Sequence, residues 1–336
     1  MNTGAATRVP RAAMPPTAVA PPRAAAADAA TPAQAATPAG AAIPTRASAA
    51  TAPRTAELFG VRLDLLTMQQ TVERCRDLIE AKRPVQHVVI NAGKAVMMQN
   101  VPGLREIVQN CDLVNADGQS VVWAGRLLGI AVPERVTGID LMGKLLALAE
   151  NEGYPVFFLG ATQEVLDIFV TEVRRRLPRL QIAGARNGYF GSDAGADAEV
   201  AAEVAASGAR LLMVAMSSPR KEFFLAEQLP KMGPVFAMGV GGSFDVWAGK
   251  TRRAPAWMQR AGLEWFYRFL QEPRRMWKRY LVGNTRFMLL VLKERSALRR
   301  PGARSAAEPW GAAEPWSAAE PRGAAEPRLR VNEGSR

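Results

Sequence analysis

Between residues 63 and 239 the chain repeats one pattern: a short, almost purely apolar run followed by a longer amphipathic stretch. The runs are His87–Ile90 (HVVI), Asp112–Asn115 (DLVN), Pro155–Leu159 (PVFFL), Leu180–Ala183, Arg210–Ala215 (RLLMVA) and Val235–Met238. A strand without polar alternation is buried on both faces, and such strands belong to parallel sheets covered by helices above and below. The intervening stretches read as helices over Met68–Ala81, Gly103–Gln109, Gly118–Leu128, Thr137–Asn151, Gln163–Leu177, Ala198–Ser207 and Pro219–Leu229. The pattern predicts a Rossmann-like α/β fold: a mostly parallel sheet with helices on both faces. Ligands of such sheets bind beyond the carboxyl ends of the strands, so the residues that follow each strand carry the chemistry.

The pattern occupies the middle of the 336-residue chain. Residues 1–54 are dominated by Ala, Pro, Thr and Arg, with too little apolar surface to offset the entropy of ordering them. From Ser305 to Arg328 the sequence SAAEPW-GAAEPW-SAAEPR-GAAEPR repeats every six residues with Pro in each copy. Both ends read as disordered tails. Four segments follow: a tail (1–54), a Rossmann-like core (55–250), a basic aromatic helical appendage (251–300) with Pro273 opening a helix, and a repeat tail (301–336). The two cysteines, Cys75 and Cys111, form no Cys-x-x-Cys motif, so neither a disulfide framework nor a zinc site is implied, and a reducing compartment fits. The longest apolar run of the appendage, Phe287–Leu292, is far short of a membrane span. The N-terminus has no apolar signal region.

Charge is concentrated. The chain carries a formal +12, and Lys250 to Arg300 hold fourteen Lys and Arg against three Glu, a local net of +11. A localised basic segment implies an anionic partner: lipid, phosphate or nucleic acid. Trp265, Phe266, Tyr267, Arg268 and Phe269, then Arg274, Arg275, Trp277, Lys278, Arg279 and Tyr280, interleave rings with cations. That chemistry suits a membrane interface, and single-stranded nucleic acid uses the same groups.

At the strand ends, Asp117 follows DLVN and precedes a helix. It is either a helix N-cap or a general base able to deprotonate a sugar hydroxyl. Gly239-Val240-Gly241-Gly242 after the last strand allows close approach of backbone to phosphate or sugar. It is neither the dinucleotide-binding Gly-x-Gly-x-x-Gly nor a P-loop, because no Gly-Lys-Ser/Thr follows. Arg135 lies ahead of a helix capped by Thr137, as a solvated loop residue or a diphosphate clamp. His87, the only histidine, sits within a strand and reads as structural. The chain has no Asp-x-Asp motif for a metal-held diphosphate, so basic groups are the natural substitute, and no metal or other cofactor is expected.

These motifs, in this order, resemble the WecG/TagA/CpsF family of bacterial glycosyltransferases over about Leu58 to Arg286. The resemblance rests on Asn115-Ala116-Asp117-Gly118, Glu134-Arg135-Val136-Thr137-Gly138, Ser218-Pro219-Arg220-Lys221-Glu222, Met238 to Asp245 (MGVGGSFD), and Arg253-Ala254-Pro255 with Gly262-Leu263-Glu264-Trp265 and Tyr267-Arg268. It implies an inverting transferase that moves a sugar from a UDP donor to a saccharide on a polyprenyl diphosphate, in cell-surface polysaccharide synthesis. It also implies a cytoplasmic protein, peripheral on the inner face of the plasma membrane. Asp117 would be the base and Asn91 a sugar contact. Arg135 and Lys221 would contact substrate, while Gly241, Gly242 and Asp245 would line the nucleotide site. Arg268, Arg274, Arg275 and Arg279 would meet diphosphate or lipid phosphate. An anionic membrane surface is an implied partner and nucleic acid is not; the appendage's apolar residues also allow a homo-oligomer.

Two positions depart from the family pattern. Lys221 stands where the family usually has Gln within Gly/Ala-Pro-Lys-Gln-Glu, and Val89-Ile90 precede Asn91 where Thr-Pro is common. Both point to a donor other than N-acetylmannosamine, with glucose, glucuronic acid and mannosamine derivatives open. Two readings compete with the enzyme: a nucleic-acid-binding α/β protein using residues 250–300, and an inactive membrane scaffold.

Overall fold

A computed structural model describes residues 54–191, 194–271 and 273–298; within these, the side chains of residues 194, 268 and 274–281 are not described. The two expected terminal tails lie outside the described residues.

The chain opens with an antiparallel hairpin, β1 (Thr55–Leu58) and β2 (Val61–Asp64), followed by α1 (Met68–Glu80) and β3 (Val85–Ile90). Next come α2 (Ala92–Asn100), α3 (Leu104–Gln109), β4 (Leu113–Ala116), α4 (Gln119–Leu127), α5 (Gly138–Glu152), β5 (Val156–Gly160), α6 (Gln163–Arg176) and β6 (Ile182–Arg186). Then follow α7 (Ala194–Ala206), β7 (Leu211–Ala215), α8 (Arg220–Gln228), a 3-10 turn (Leu229–Lys231), β8 (Phe236–Gly239) and α9 (Ser243–Trp247). The chain continues through α10 (Ala256–Arg260), α11 (Glu264–Gln271) and α12 (Pro273–Leu298). Strands β3 to β8 form one six-stranded sheet in the order β4-β3-β8-β7-β5-β6, with every pair parallel. The Rossmann-like reading holds, and each helix that follows a strand starts at the same rim.

The hairpin and α2 were not legible as elements. The hairpin turn is Phe59-Gly60, both residues at positive φ (57° and 75°), the backbone that a two-residue turn matching strand twist requires. Phe59 is almost fully buried, and its ring meets Phe287 of α12 edge-on at 5.4 Å. Packing therefore holds a bulky residue where Asn or Gly is usual. Asp64 Oδ2 accepts from the Val114 amide at 2.7 Å, and Arg62 donates to the Cys111 and Asp112 carbonyls, each at 3.0 Å. The hairpin thus covers the free edge of β4, which would otherwise offer unpaired backbone groups.

One face of the sheet carries a single apolar layer: Val85, Leu113, Phe158, Met213, Phe236 and Met238 against α1, α5, α6 and α9. Phe169 and Phe244 stack there at 3.9 Å. The opposite face is divided. Val88, Ile90, Val114 and Ala116 pack with α2, α4, the hairpin and Phe287, Leu290 and Val291 of α12. Phe157, Leu159, Leu212, Val214 and Ala237 pack with α7 and α8. The seam between these two clusters is ionic. Cys75 and Cys111 are buried thiols, one in each main layer, and burial raises both above the ordinary thiol value.

Candidate active site

The rim is built by the turns that follow β3, β4, β8 and β7. The Asp117 amide donates to the Ile90 carbonyl at 2.8 Å, extending the β3–β4 ladder by one residue. Asp117 is not the N-cap of α4: Gly118 holds that position at φ 95°, with no side-chain cap. Asp117 stands one residue ahead of that cap, half-buried at the mouth of the sheet. A Cβ placed on Gly118 would lie 3.9 Å from Cβ of Asn91, so the β3 and β4 turns are side by side. Asn91 caps α2, its Oδ1 accepting from the Lys94 amide at 2.9 Å. Beyond β3 lies β8, where Gly241 has φ 53° and Gly242 caps α9. Asp245 follows in the first turn of α9, its Oδ2 3.9 Å from a Cβ placed on Gly242. Asp117 and the glycine turn are thus separated by two strand spacings, about 10 Å, enough for a sugar ring.

Lys221 lies lower. Its amine donates to Ser218 Oγ and sits 3.1 Å from Glu222 Oε1. Lys94, from the first turn of α2, reaches the same oxygen at 2.6 Å, and Ser218 Oγ donates to it at 2.9 Å. This cluster fills the seam between the two apolar halves of the sheet. A Cβ on Gly239 would be 2.6 Å from Cε of Lys221, so glycine at the end of β8 makes the lysine's channel. Burial, reinforced by Lys94, lowers Lys221 to about 8 despite Glu222. Burial pushes Glu222 up, but the two lysines outweigh it and hold the carboxyl below its ordinary value. Glu222 Oε2 has no hydrogen-bond partner. Sequence reasoning gave a role to Lys221 alone; that Lys94 and Glu222 join it in one cluster was not legible, because only the fold brings α2 to α8.

Arg135 is not a solvated loop residue. Its guanidinium donates to Glu264 Oε2 of α11 at 2.9 Å and to the Gln259 carbonyl at 3.3 Å. Arg253 donates to the other Glu264 oxygen at 3.2 Å and grips both oxygens of Asp140 at 2.6 and 2.7 Å. Burial raises Asp140, but the hydrogen bonds from Arg253 and Thr137 prevail and hold it low. The Val136 amide donates to the Ala116 carbonyl at 2.9 Å, so this network adjoins the Asp117 turn. The side chains of Arg268, Arg274, Arg275 and Arg279 lie outside the described residues. His87 is buried in β3; its Nε2 lies 3.0 Å from Asn115 Oδ1, and burial lowers it to about 4, so it is neutral at pH 7 and structural. Among the described residues no cluster of three or more His, Cys, Asp or Glu could hold a metal, and no helix is long and apolar enough to cross a membrane.

A carboxylate, a glycine turn and paired arginines around the rim of a parallel sheet form a site suited to group transfer from an activated, anionic donor. The chain belongs to the glycosyl transferase WecG/TagA/CpsF family, whose model matches residues 56–301; it is a glycosyltransferase. It is 36% identical over 204 residues to an N-acetylglucosaminyldiphosphoundecaprenol N-acetyl-beta-D-mannosaminyltransferase of Bacillus spizizenii, covering 61% of this chain and 77% of the relative. Nucleic-acid binding gains no support from either similarity.

Proposed function

We propose that the protein transfers a sugar from a UDP donor, with inversion, to a saccharide on a polyprenyl diphosphate, in the synthesis of a cell-surface polysaccharide. The observation that carries this reading is Asp117: a carboxylate at the sheet rim, beside Asn91 and one residue ahead of the cap of α4. The similar Bacillus enzyme is named for a diphosphoundecaprenol acceptor, which supports the acceptor class. In this reading the donor sugar lies between Asp117 and the Gly241-Gly242 turn, with Asn91 against the sugar and Asp245 toward the nucleotide. Asp117 takes the proton from the acceptor hydroxyl as that oxygen attacks the anomeric carbon, and UDP departs. Arg135, with the appendage's Arg268, Arg274, Arg275 and Arg279, neutralises the diphosphate without a metal. Lys221 shapes the sugar end from below. The enzyme works in the cytoplasm, on the inner face of the plasma membrane.

Calorimetry of UDP binding, with and without magnesium, tests the donor and metal assignments together. Equal affinity in both conditions is the expected result, and binding only with magnesium would overturn the metal-free scheme. Asp117→Asn should leave the melting temperature unchanged and lower turnover about a hundredfold or more. Near-normal turnover would remove Asp117 from the chemistry.

A further inference from the structure

Helix α4 begins two residues beyond Asp117. It buries Val121, Val122, Ala124 and Gly125, leaving Gln119, Trp123, Arg126 and Leu127 along its outer side, at i, i+4, i+7 and i+8. A water-facing helix side is ordinarily polar at these positions. Here Trp123 is 55% exposed and Leu127 44%, an apolar pair one turn apart that no neighbouring element covers among the described residues.

We propose that this side of α4 rests on an anionic lipid surface, so that the core makes its own membrane contact beside the active site. The inference rests on the reading that the acceptor is membrane-anchored. Three observations favour lipid as the occupant. Trp is the side chain best suited to the boundary between headgroups and acyl chains, with Arg126 placed to meet lipid phosphate. The charge is complementary: α4 and α10 contain no acidic residue, and the one carboxylate described in α11, Glu264, is turned inward onto Arg135 and Arg253. The patch also continues into the neighbouring helices. The α10–α11 turn lies on α4, a Cβ at Gly262 falling 2.8 Å from Gln119 Cγ. On α10 and α11, Trp257 is 60% exposed and Trp265 44%, with Arg260 exposed as well. At 1.5 Å per residue, Trp123 lies about 6 Å along the helix from Gln119, which itself follows Asp117 by two residues, a headgroup-scale distance. A lipid contact along α4 would thus hold the base at the depth where a diphosphate-linked sugar is presented.

The test is co-sedimentation of the full chain with vesicles of phosphatidylglycerol and phosphatidylcholine, for the wild type and for the surface variant Trp123→Ser/Leu127→Ser. Unchanged thermal melts and unchanged UDP affinity would certify its fold. The proposal expects partitioning to fall about tenfold or more in the variant, because two interfacial apolar side chains are lost. Wild-type partitioning retained in the variant would overturn the α4 contact while leaving the membrane reading intact. No partitioning of the wild type would overturn the membrane reading itself, and this inference with it. A variant that changes the sedimentation coefficient in lipid-free buffer, but not vesicle binding, would assign the patch to a second copy and overturn the lipid proposal.

Discussion

At the scale of single residues, the buried Lys94–Glu222–Lys221 cluster makes the sharpest claim. Two cations and one anion sit in a seam with almost no solvent, so one positive charge is in excess. Lys221, lowered to about 8, bears that cost. Between pH 8 and about 10.5 the unfolded chain holds a proton on this lysine that the folded chain has released. Stability therefore rises with pH across that window and is constant, on this account, below it. Lys221→Gln should abolish the lysine's share of the rise, about 3 kcal/mol at most; chemical denaturation at pH 7.5 and 10 measures it. Equal pH slopes for wild type and variant would show that Lys221 titrates normally. Glu222→Ala should be far worse, by about 3 to 5 kcal/mol, because it leaves two buried ammonium groups facing each other. Its urea midpoint reports this directly.

At the scale of elements, the sheet was readable because its strands are mainly apolar with no polar alternation, the signature of burial on both faces. What escaped is equally instructive. The β1–β2 hairpin turns on Phe59-Gly60, where the usual Asn-Gly signal is absent and a distant contact with Phe287 sustains the backbone. Helix α2 alternates small and long residues without a clear apolar stripe (AGKAVMMQN), and it is fixed by the Asn91 cap and by α12. Strand β6 begins at Ile182 rather than Leu180, since as an edge strand it is only partly covered and its pattern is correspondingly weak. The rim positions were legible because the apolar strands end abruptly in small and charged residues. Their partners were not, since ion pairs such as Lys94–Glu222 join residues 128 apart in sequence. Close approach at the rim also gives a prediction. Gly160 ends β5 at φ 127°, and a Cβ there would lie 2.4 Å from the Ala215 carbonyl oxygen. That neighbour is backbone and cannot swing aside, so Gly160→Ala must part β5 from β7. A loss of about 2 kcal/mol or more is expected, with weakened amide protection in β5 and β7. A variant of wild-type stability would mean that the rim can yield.

At the scale of the whole molecule, the question is what holds the basic helices against the core. Helix α12 is anchored by apolar packing of Phe287, Leu290 and Val291 against the hairpin and α2. Helices α10 and α11 depend more on charge: Glu264 receives Arg135 from the core and Arg253 from the connecting segment, while Arg253 clasps Asp140 at the start of α5. These groups are partly buried, where charge-assisted hydrogen bonds contribute more than exposed pairs do. One carboxylate shared by two arginines makes the arrangement non-additive, so removing Glu264 frees Arg135 of its carboxylate partner and leaves Arg253 on Asp140 alone. Glu264→Ala should leave the sheet and α12 intact while loosening residues 253–271. Hydrogen exchange would show this as faster amide exchange in α10 and α11, about tenfold, with β3, β7 and β8 unchanged. Arg135 would then stand without its carboxylate partner. Affinity for UDP should then shift measurably in the variant, tighter if Arg135 reaches the diphosphate unaided and weaker if it needs Glu264 to hold it in place. Unchanged exchange and unchanged UDP affinity would mean that apolar contacts alone seat α10 and α11, and that Arg135 serves neither the latch nor the donor.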